Sequence, residues 1–338
     1  MRTLTRRLAA TGALVLGLAL TAACGGDDEP ATASSGGAAG SFPVTITGRL
    51  GSATVKSAPK RIVALGEVDQ DALLALGVRP VGMVELTGIQ KDGLAPWSAP
   101  KVTGEKPALL TAGDSGFDLE KVAALRPDLI LAAGDFTIDK EYGKLSKLAP
   151  TVAYQTGPAE DSWQQITRQV AKAVGRSADG EKVVAAAEAK IASVKTSHPG
   201  LQGKGFALTS VFPSGNIGVM KSKDDTSVKL FEQFGMVLPD KLSKLPGDGF
   251  AAELSMEKLP VLDTDVLLSY YNDDPATQKK FEGNKLFSGL PVVERGSYVR
   301  LDLKEFWPLR TPTALSVPYV VDQVVPRIAK AADAAKAA

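Results

Sequence analysis

Asp118-Leu-Glu-Lys-Val-Ala-Ala-Leu-Arg-Pro-Asp-Leu-Ile-Leu131 reads as one short helix followed by one buried strand. Asp118 suits a helix N-cap, Glu120 places an acid in the first turn, and Pro127 forbids continuation. The run Asp128-Leu-Ile-Leu-Ala-Ala is then apolar without alternation, as expected of a strand covered on both faces. A second stretch, Ser255-Met-Glu-Lys-Leu-Pro-Val-Leu-Asp-Thr-Asp-Val-Leu-Leu268, aligns with the first without a gap. Glu, Lys, Leu, Asp and Leu coincide, so Glu120 and Glu257 fall at equivalent positions. A helix–strand unit that recurs in this way points to two similar lobes.

The flanking sequence repeats the alternation. Val44-Thr-Ile-Thr and Ala53-Thr-Val-Lys form a hairpin pattern, and Arg61-Ile-Val-Ala-Leu and Pro80-Val-Gly-Met-Val read as strands. Asp69–Leu76 is a helix stopped by Gly77, Lys144–Leu148 a helix, and Thr151-Val-Ala-Tyr a strand. Trp163, Ile166, Val170 and Val174 share a helical face. After Gly175 a longer pattern starts at Ser177, carries Val183, Val184, Ala187, Ile191 and Val194, and closes at Pro199-Gly200. Phe206–Val211, the helix Thr226–Phe234 stopped by Gly235, and Asp265–Tyr271 continue the order in the second half. The expected class is α/β: two lobes, each with a central mostly parallel sheet flanked by helices, joined by one long backbone helix. The expected boundaries are 42–158 and 201–328 for the lobes, 159–200 for a helical linker and 329–338 for a C-terminal tail. Ligands of open parallel sheets sit beyond the carboxyl ends of strands, so the loops there should line a cleft between the lobes.

Composition narrows the chemistry. The 338 residues exceed one ordinary core and suit two domains. Removing Arg2, Arg6 and Arg7 from the 39 basic residues leaves 36 against 38 acidic, a balance that offers nucleic acid no basic footprint. One Cys and one His exclude an intrachain disulfide, a Cys/His zinc cluster and a histidine dyad. Met1–Arg7 is cationic and Leu8–Leu20 is apolar, a signal-peptide pattern too short to span a bilayer. It ends in Leu20-Thr-Ala-Ala-Cys24, which resembles the bacterial lipobox, with Thr21 where an aliphatic residue is usual. The expectation is removal of residues 1–23, lipidation of Cys24, and a Gly- and Ser-rich tether over 24–41.

Lys60-Arg-Ile-Val-Ala-Leu, Ala72-Leu-Leu-Ala-Leu-Gly-Val-Arg-Pro-Val-Gly and Pro96-Trp-Ser-Ala-Pro-Lys carry a further resemblance. With Asp118–Leu131, Lys144-Leu-Ser-Lys-Leu-Ala-Pro-Thr-Val-Ala-Tyr and Leu315-Ser-Val-Pro-Tyr-Val-Val-Asp, they make the chain from Phe42 to Ile328 similar to one family. It is that of periplasmic or lipoprotein substrate-binding proteins for ferric siderophores, haem and cobalamin. The resemblance implies a class III, helical-backbone clamp with little hinge motion, monomeric, working with an ABC permease and its ATPase. It implies that Glu120 and Glu257 dock on the permease; the same carboxylates would also favour their own helix N-termini. It implies a ferric siderophore as ligand, no cofactor, and a place on the outer face of the cytoplasmic membrane through the lipid anchor. Gly66-Glu-Val-Asp and Phe306-Trp-Pro-Leu-Arg-Thr-Pro depart from the family pattern at the expected cleft.

A siderophore fills iron's coordination sphere itself, so the protein needs aromatic surface and a few donors and not metal ligands. Candidates that follow strands or lie in loops are Trp97, Phe136, Tyr154, Phe212, Tyr270, Tyr271, Phe306 and Trp307. Arg310, three residues beyond Trp307, supplies a guanidinium for chelate oxygens. Trp307 is expected in a loop stiffened by Pro308 and Pro312. Haem or a corrinoid is the alternative ligand on the same fold, and an interaction-only lipoprotein is a third reading. Ser57-Ala-Pro-Lys60 and Ser98-Ala-Pro-Lys101 formally match a Ser-x-x-Lys hydrolase motif. Its partner motifs are missing, and His198 precedes Pro199 in a connector, remote from any strand end.

Overall fold

A hairpin opens the folded chain: β1 (Val44–Gly48) pairs antiparallel with β2 (Gly51–Val55), Val44 opposite Val55 and Gly48 opposite Gly51. Ile46, Ala53 and Val55 are buried and their strand neighbours are not, the period-two pattern of a sheet with one covered face. This computed structural model describes residues 40–335 except 87, 90, 91, 114, 115, 158, 159 and 248. The signal segment, Cys24 and the tether up to residue 39 lie outside the described residues.

The first parallel sheet follows. Its elements are β3 (Ile62–Ala64), α1 (Glu67–Ala75), β4 (Gly82–Val84), β5 (Ala108–Leu110), a small ribbon of β6 (Ala112–Gly113) and β7 (Gly116–Phe117), α2 (Leu119–Ala124), β8 (Leu129–Leu131), α3 (Ile138–Leu148) and β9 (Thr151–Val152). Strand order is β5-β4-β3-β8-β9, parallel throughout, with Ile62, Val63 and Ala64 opposite Leu129, Ile130 and Leu131. The central strands are buried on both faces, which is why their sequences do not alternate. Asp118 caps α2 by accepting from the N–H groups of Glu120 and Lys121, and Asp128 accepts from those of Lys60 and Arg61, tying β8 to β3. The helix expected over 144–148 starts earlier, at Ile138, because Ile138, Glu141 and Leu145 form one buried stripe across the Gly143 interruption.

Two packed helices follow. α4 (Trp163–Ala173) begins with a reciprocal capping box between Ser162 and Gln165. α5 (Ser177–Ser197) has 21 residues, a length of about 30 Å at 1.5 Å per residue. Val184, Ala187, Ile191 and Val194 are its buried stripe. Gly180 lies where a Cβ would come within 2.4 Å of the Ala171 Cβ, so α4 and α5 approach as closely as they do only because no side chain intervenes.

The second sheet contains β10 (Phe206–Val211), β11 (Ile217–Met220), α6 (Thr226–Gln233), α7 (Asp240–Ser243), β12 (Ala251–Leu254), β13 (Val266–Tyr270), the short helices α8 (Pro275–Glu282), α9 (Lys285–Ser288) and α10 (Pro291–Glu294), and β14 (Tyr298–Leu301). Its order is β12-β11-β10-β13-β14. β10, β13 and β14 are parallel, whereas β11 pairs antiparallel with β10 on one side and with β12 on the other. The tight turn Phe212–Asn216, with Gly215 at φ +92°, returns the chain directly onto β10 and so forces a hairpin. The Ser255 repeat forms a 3-10 helix, Met256–Leu262, because Pro260 inside it lacks an amide donor. The chain ends in α11 (Leu303–Arg310), α12 (Ser316–Tyr319), a π-helical turn Val320–Val324 and α13 (Val325–Ala334). Ala329, Ala331 and Ala332 are buried, so the expected tail from 329 is packed helix as far as Ala334. Lys190 of α5 meets Asp322 at 2.7 Å, joining the two bridging helical layers.

Candidate functional site

The order of the first sheet reverses at β3, whose neighbours β4 and β8 leave it in opposite directions. The chain emerging from β3 turns at Gly66, where a Cβ would sit 2.2 Å from Asp69 Oδ2 and 2.8 Å from the Gly134 backbone. A glycine is therefore required for the two strand-end loops to touch. Asp69, fully buried, completes the junction: Oδ1 accepts the Ala133 N–H at 3.1 Å and Oδ2 the Gly134 N–H at 2.7 Å. Asp135 Oδ1 next accepts both the N–H and the hydroxyl of Thr137 at 2.8 Å. Between these anchored residues Phe136 is turned outward and is 64% exposed.

Asp71, two residues further along α1, gathers three donors: Trp97 Nε1–H at 2.9 Å, the Ser98 hydroxyl at 2.5 Å and the Thr313 hydroxyl at 2.5 Å. It thereby ties α1 to the loop after β4 and to the segment before α12. Glu67 reaches the same far half, its Oε2 accepting Trp307 Nε1–H at 2.5 Å, while its Oε1 is buried without a partner. Burial pushes the Asp69 carboxyl up to about 7 and that of Asp71 up to about 6. Glu67 is raised well above the carboxylate range by burial first and by the Asp71 charge second.

Beyond these junctions an open crevice of about 670 Å³ separates the two halves, a volume in the range of small-molecule sites. Gly134, Phe136 and Trp163 line it from one side; Thr226, Lys229, Phe250 and Arg310 line it from the other. Phe250 is 53% exposed, so each wall carries a phenylalanine that is more than half exposed. Arg310 is held in place by its Nη1, which donates to Asp225 Oδ1 and Oδ2 at 2.7 and 2.6 Å and to the Ser227 hydroxyl at 2.6 Å. Asp225 also caps α6.

Of the residues expected at the cleft, Phe136 and Arg310 line the crevice. Trp307 sits behind it, half-buried, bonded to Glu67; it belongs to α11 and not to a loop. Helix α11 forms despite Pro308 because Asp302 and Glu305 make a capping box at its start. Phe306 is half-buried and stacked on Tyr270 at 4.5 Å between ring centroids. Four expectations need correcting, since Trp97, Tyr154, Tyr270 and Tyr271 are buried. Trp97 packs on Tyr319, Tyr154 donates its hydroxyl to Asp139, and Tyr271 shares a hydroxyl hydrogen bond with Tyr298. Phe212 lines a separate hollow of about 500 Å³ with Pro213, Asn216 and Ala251. Glu120 and Glu257 are exposed, each in the first turn of its helix. Ser98 is buried with its hydroxyl on Asp71, which removes it as a nucleophile. Sequence reasoning missed Phe250, although an aromatic beside Gly249 in a loop is itself a signal, and it read Trp163 only as core.

The family model for periplasmic binding proteins matches residues 62–304. YhfQ of Bacillus subtilis (strain 168), assigned by name as an ABC transporter substrate-binding lipoprotein, is 30% identical over 79% of this chain and 83% of its own. YfiY of the same organism, assigned by name as a siderophore-binding lipoprotein, is 28% identical over 72% of this chain and 75% of its own. The crystal structure of a periplasmic solute binding protein from Mycobacterium smegmatis superimposes with a TM-score of 0.74 at 26% identity, covering 86% of this chain and 98% of that one. With a crevice between two sheets and a family match over most of its length, the chain belongs to the periplasmic binding protein family.

Proposed function

We propose that this chain is the extracytoplasmic binding component of an ABC importer, that it captures a ferric siderophore in the crevice, and that it carries out no chemistry on it. The observation that carries the reading is the pair of exposed phenylalanines, Phe136 and Phe250, on opposite walls of one crevice, with Arg310 fixed between Asp225 and the opening. Two apolar faces and one oriented guanidinium suit a bulky chelate whose iron is already enclosed and whose rim carries oxygens. Similarity to a siderophore-binding lipoprotein supports the same ligand class.

The lobes at 42–158 and 201–328, with the linker 159–200 behind them, are the two jaws. Glu120 and Glu257 face solvent and dock on the permease, which works with its ATPase. The signal segment directs export and Cys24 carries the lipid, so Cys24→Ser releases the protein from the membrane fraction; retention there would refute the anchor. The binding reading is tested by tryptophan-fluorescence titration of the chain beginning at Gly25 against iron-loaded siderophores, haem and cobalamin. Saturable one-to-one quenching by an iron-loaded siderophore is expected. Binding of haem or cobalamin in its place, or of nothing, would overturn it.

A further inference from the structure

The charges around the crevice select among chelates. Four carboxylates line it, Glu160, Asp161, Glu188 and Asp224, against three bases, Arg168, Lys229 and Arg310. Each base already has a carboxylate partner: Arg168 meets Glu181 at 3.0 Å, Lys229 meets Asp224 at 3.9 Å, and Arg310 meets Asp225 at 2.6 Å. Two of those partners, Glu181 and Asp225, are additional to the four lining acids. Asp161 is taken up by the N–H groups of Gln155 and Thr156, and Glu188 by the Gln164 amide, neither of which neutralises a charge. Among the described residues the crevice therefore presents a negative balance and no basic group without an acid beside it.

Siderophore classes differ in charge by elementary stoichiometry. Three hydroxamates, each a monoanion, neutralise ferric iron, whereas three dianionic catecholates leave a chelate of charge −3. Low-dielectric walls sharpen such differences, and salt weakens them only where solvent enters. Resting on the siderophore reading, we infer that the crevice takes neutral or cationic ferric hydroxamates and rejects anionic ferric catecholates and carboxylates. Phe136 and Phe250 cover the aliphatic spacers of such a ligand, and the Arg310 guanidinium, already paired with Asp225, hydrogen-bonds to hydroxamate oxygens without needing a ligand charge.

The test is a titration of the chain beginning at Gly25 with three probes at low and high salt. They are a linear ferric trihydroxamate with a free ammonium group, a cyclic neutral ferric trihydroxamate, and a ferric tris-catecholate. Both hydroxamates should bind at least tenfold more tightly than the catecholate at low salt, with the gap narrowing at high salt. The double variant Glu160→Gln, Glu188→Gln should narrow that gap severalfold at low salt. Equal or tighter binding of the catecholate overturns the inference and leaves the siderophore reading standing, as does an unchanged gap in the double variant. Binding of none of the three overturns both.

Discussion

Replacing Trp307 by Phe keeps a ring in place and removes one donor. Among the described residues, that donor makes the only hydrogen bond to the Glu67 carboxyl, whose second oxygen is buried without a partner. A hydrogen bond to a charged group contributes about 1.5–3 kcal/mol, and an orphaned buried acceptor carries a penalty of similar size. Trp307→Phe should therefore lose about 2–3 kcal/mol of unfolding free energy under conditions where Glu67 is ionised. The cost should shrink as pH falls: without the indole donor the folded carboxyl is raised further, so the variant loses most where Glu67 must ionise. Glu67→Gln keeps an acceptor for the indole and abolishes ionisation, so in that background Trp307→Phe should cost only about 0.5–1.5 kcal/mol, as for a neutral pair. The assay is urea unfolding of the four proteins of the cycle across a pH series, compared at constant m. If Trp307→Phe costs the same with Glu and with Gln at position 67, the contact between the two halves is not an energetic one.

Three further outcomes are expected. Gly180→Ala would ordinarily stabilise a helix interior by about 0.5–1 kcal/mol, but here its Cβ meets Ala171 at 2.4 Å, so calorimetry should show a loss of about 1–3 kcal/mol; a gain would mean that α4 and α5 can separate freely. Burial holds Asp69 and Asp71 above their unfolded value of 3.8, at about 7 and about 6. The stability they contribute is complete below about pH 4 and is lost as pH rises through 6 and 7, so Asp69→Asn should flatten the fall in urea midpoint between pH 5 and 8, and an unaltered slope would contradict the assignment. Glu120→Ala combined with Glu257→Ala should abolish iron uptake by cells while ligand affinity of the purified protein stays within about twofold, since both carboxylates are exposed and neither lines the crevice; lost affinity would give them a structural role.

The frame of the molecule was legible because it rests on local signals. Asp118 really caps its helix, Gly77 and Gly235 end theirs at positive φ, and the strand runs at 62–64, 129–131 and 206–211 are buried on both faces as their uniform apolarity requires. The site was less legible because burial of an aromatic depends on its distant partners. Trp97 and Tyr271 follow strands just as Phe136 does, yet Asp71 and Tyr298 supply their polar atoms with partners inside the protein. Phe136 is left outside because Asp69 and Asp135 pin the backbone on both sides of it. Helix α11 starts at the capping pattern Asp302-Leu-Lys-Glu305, a local signal, whereas Pro308 and Pro312 pointed to a loop. The antiparallel strands β11 and β12 were missed because Ile-Gly-Val-Met and Ala-Ala-Glu-Leu are short and weakly alternating.

The location of the iron tests the account most directly. Crystals of the chain beginning at Gly25, grown with a ferric trihydroxamate and measured at the iron absorption edge, would give the metal position by anomalous scattering. One iron site per chain is expected, in the crevice bounded by Phe136, Phe250 and Arg310, with every ligand oxygen supplied by the siderophore. Iron in the hollow beside Phe212, or coordinated by a protein side chain, would contradict it.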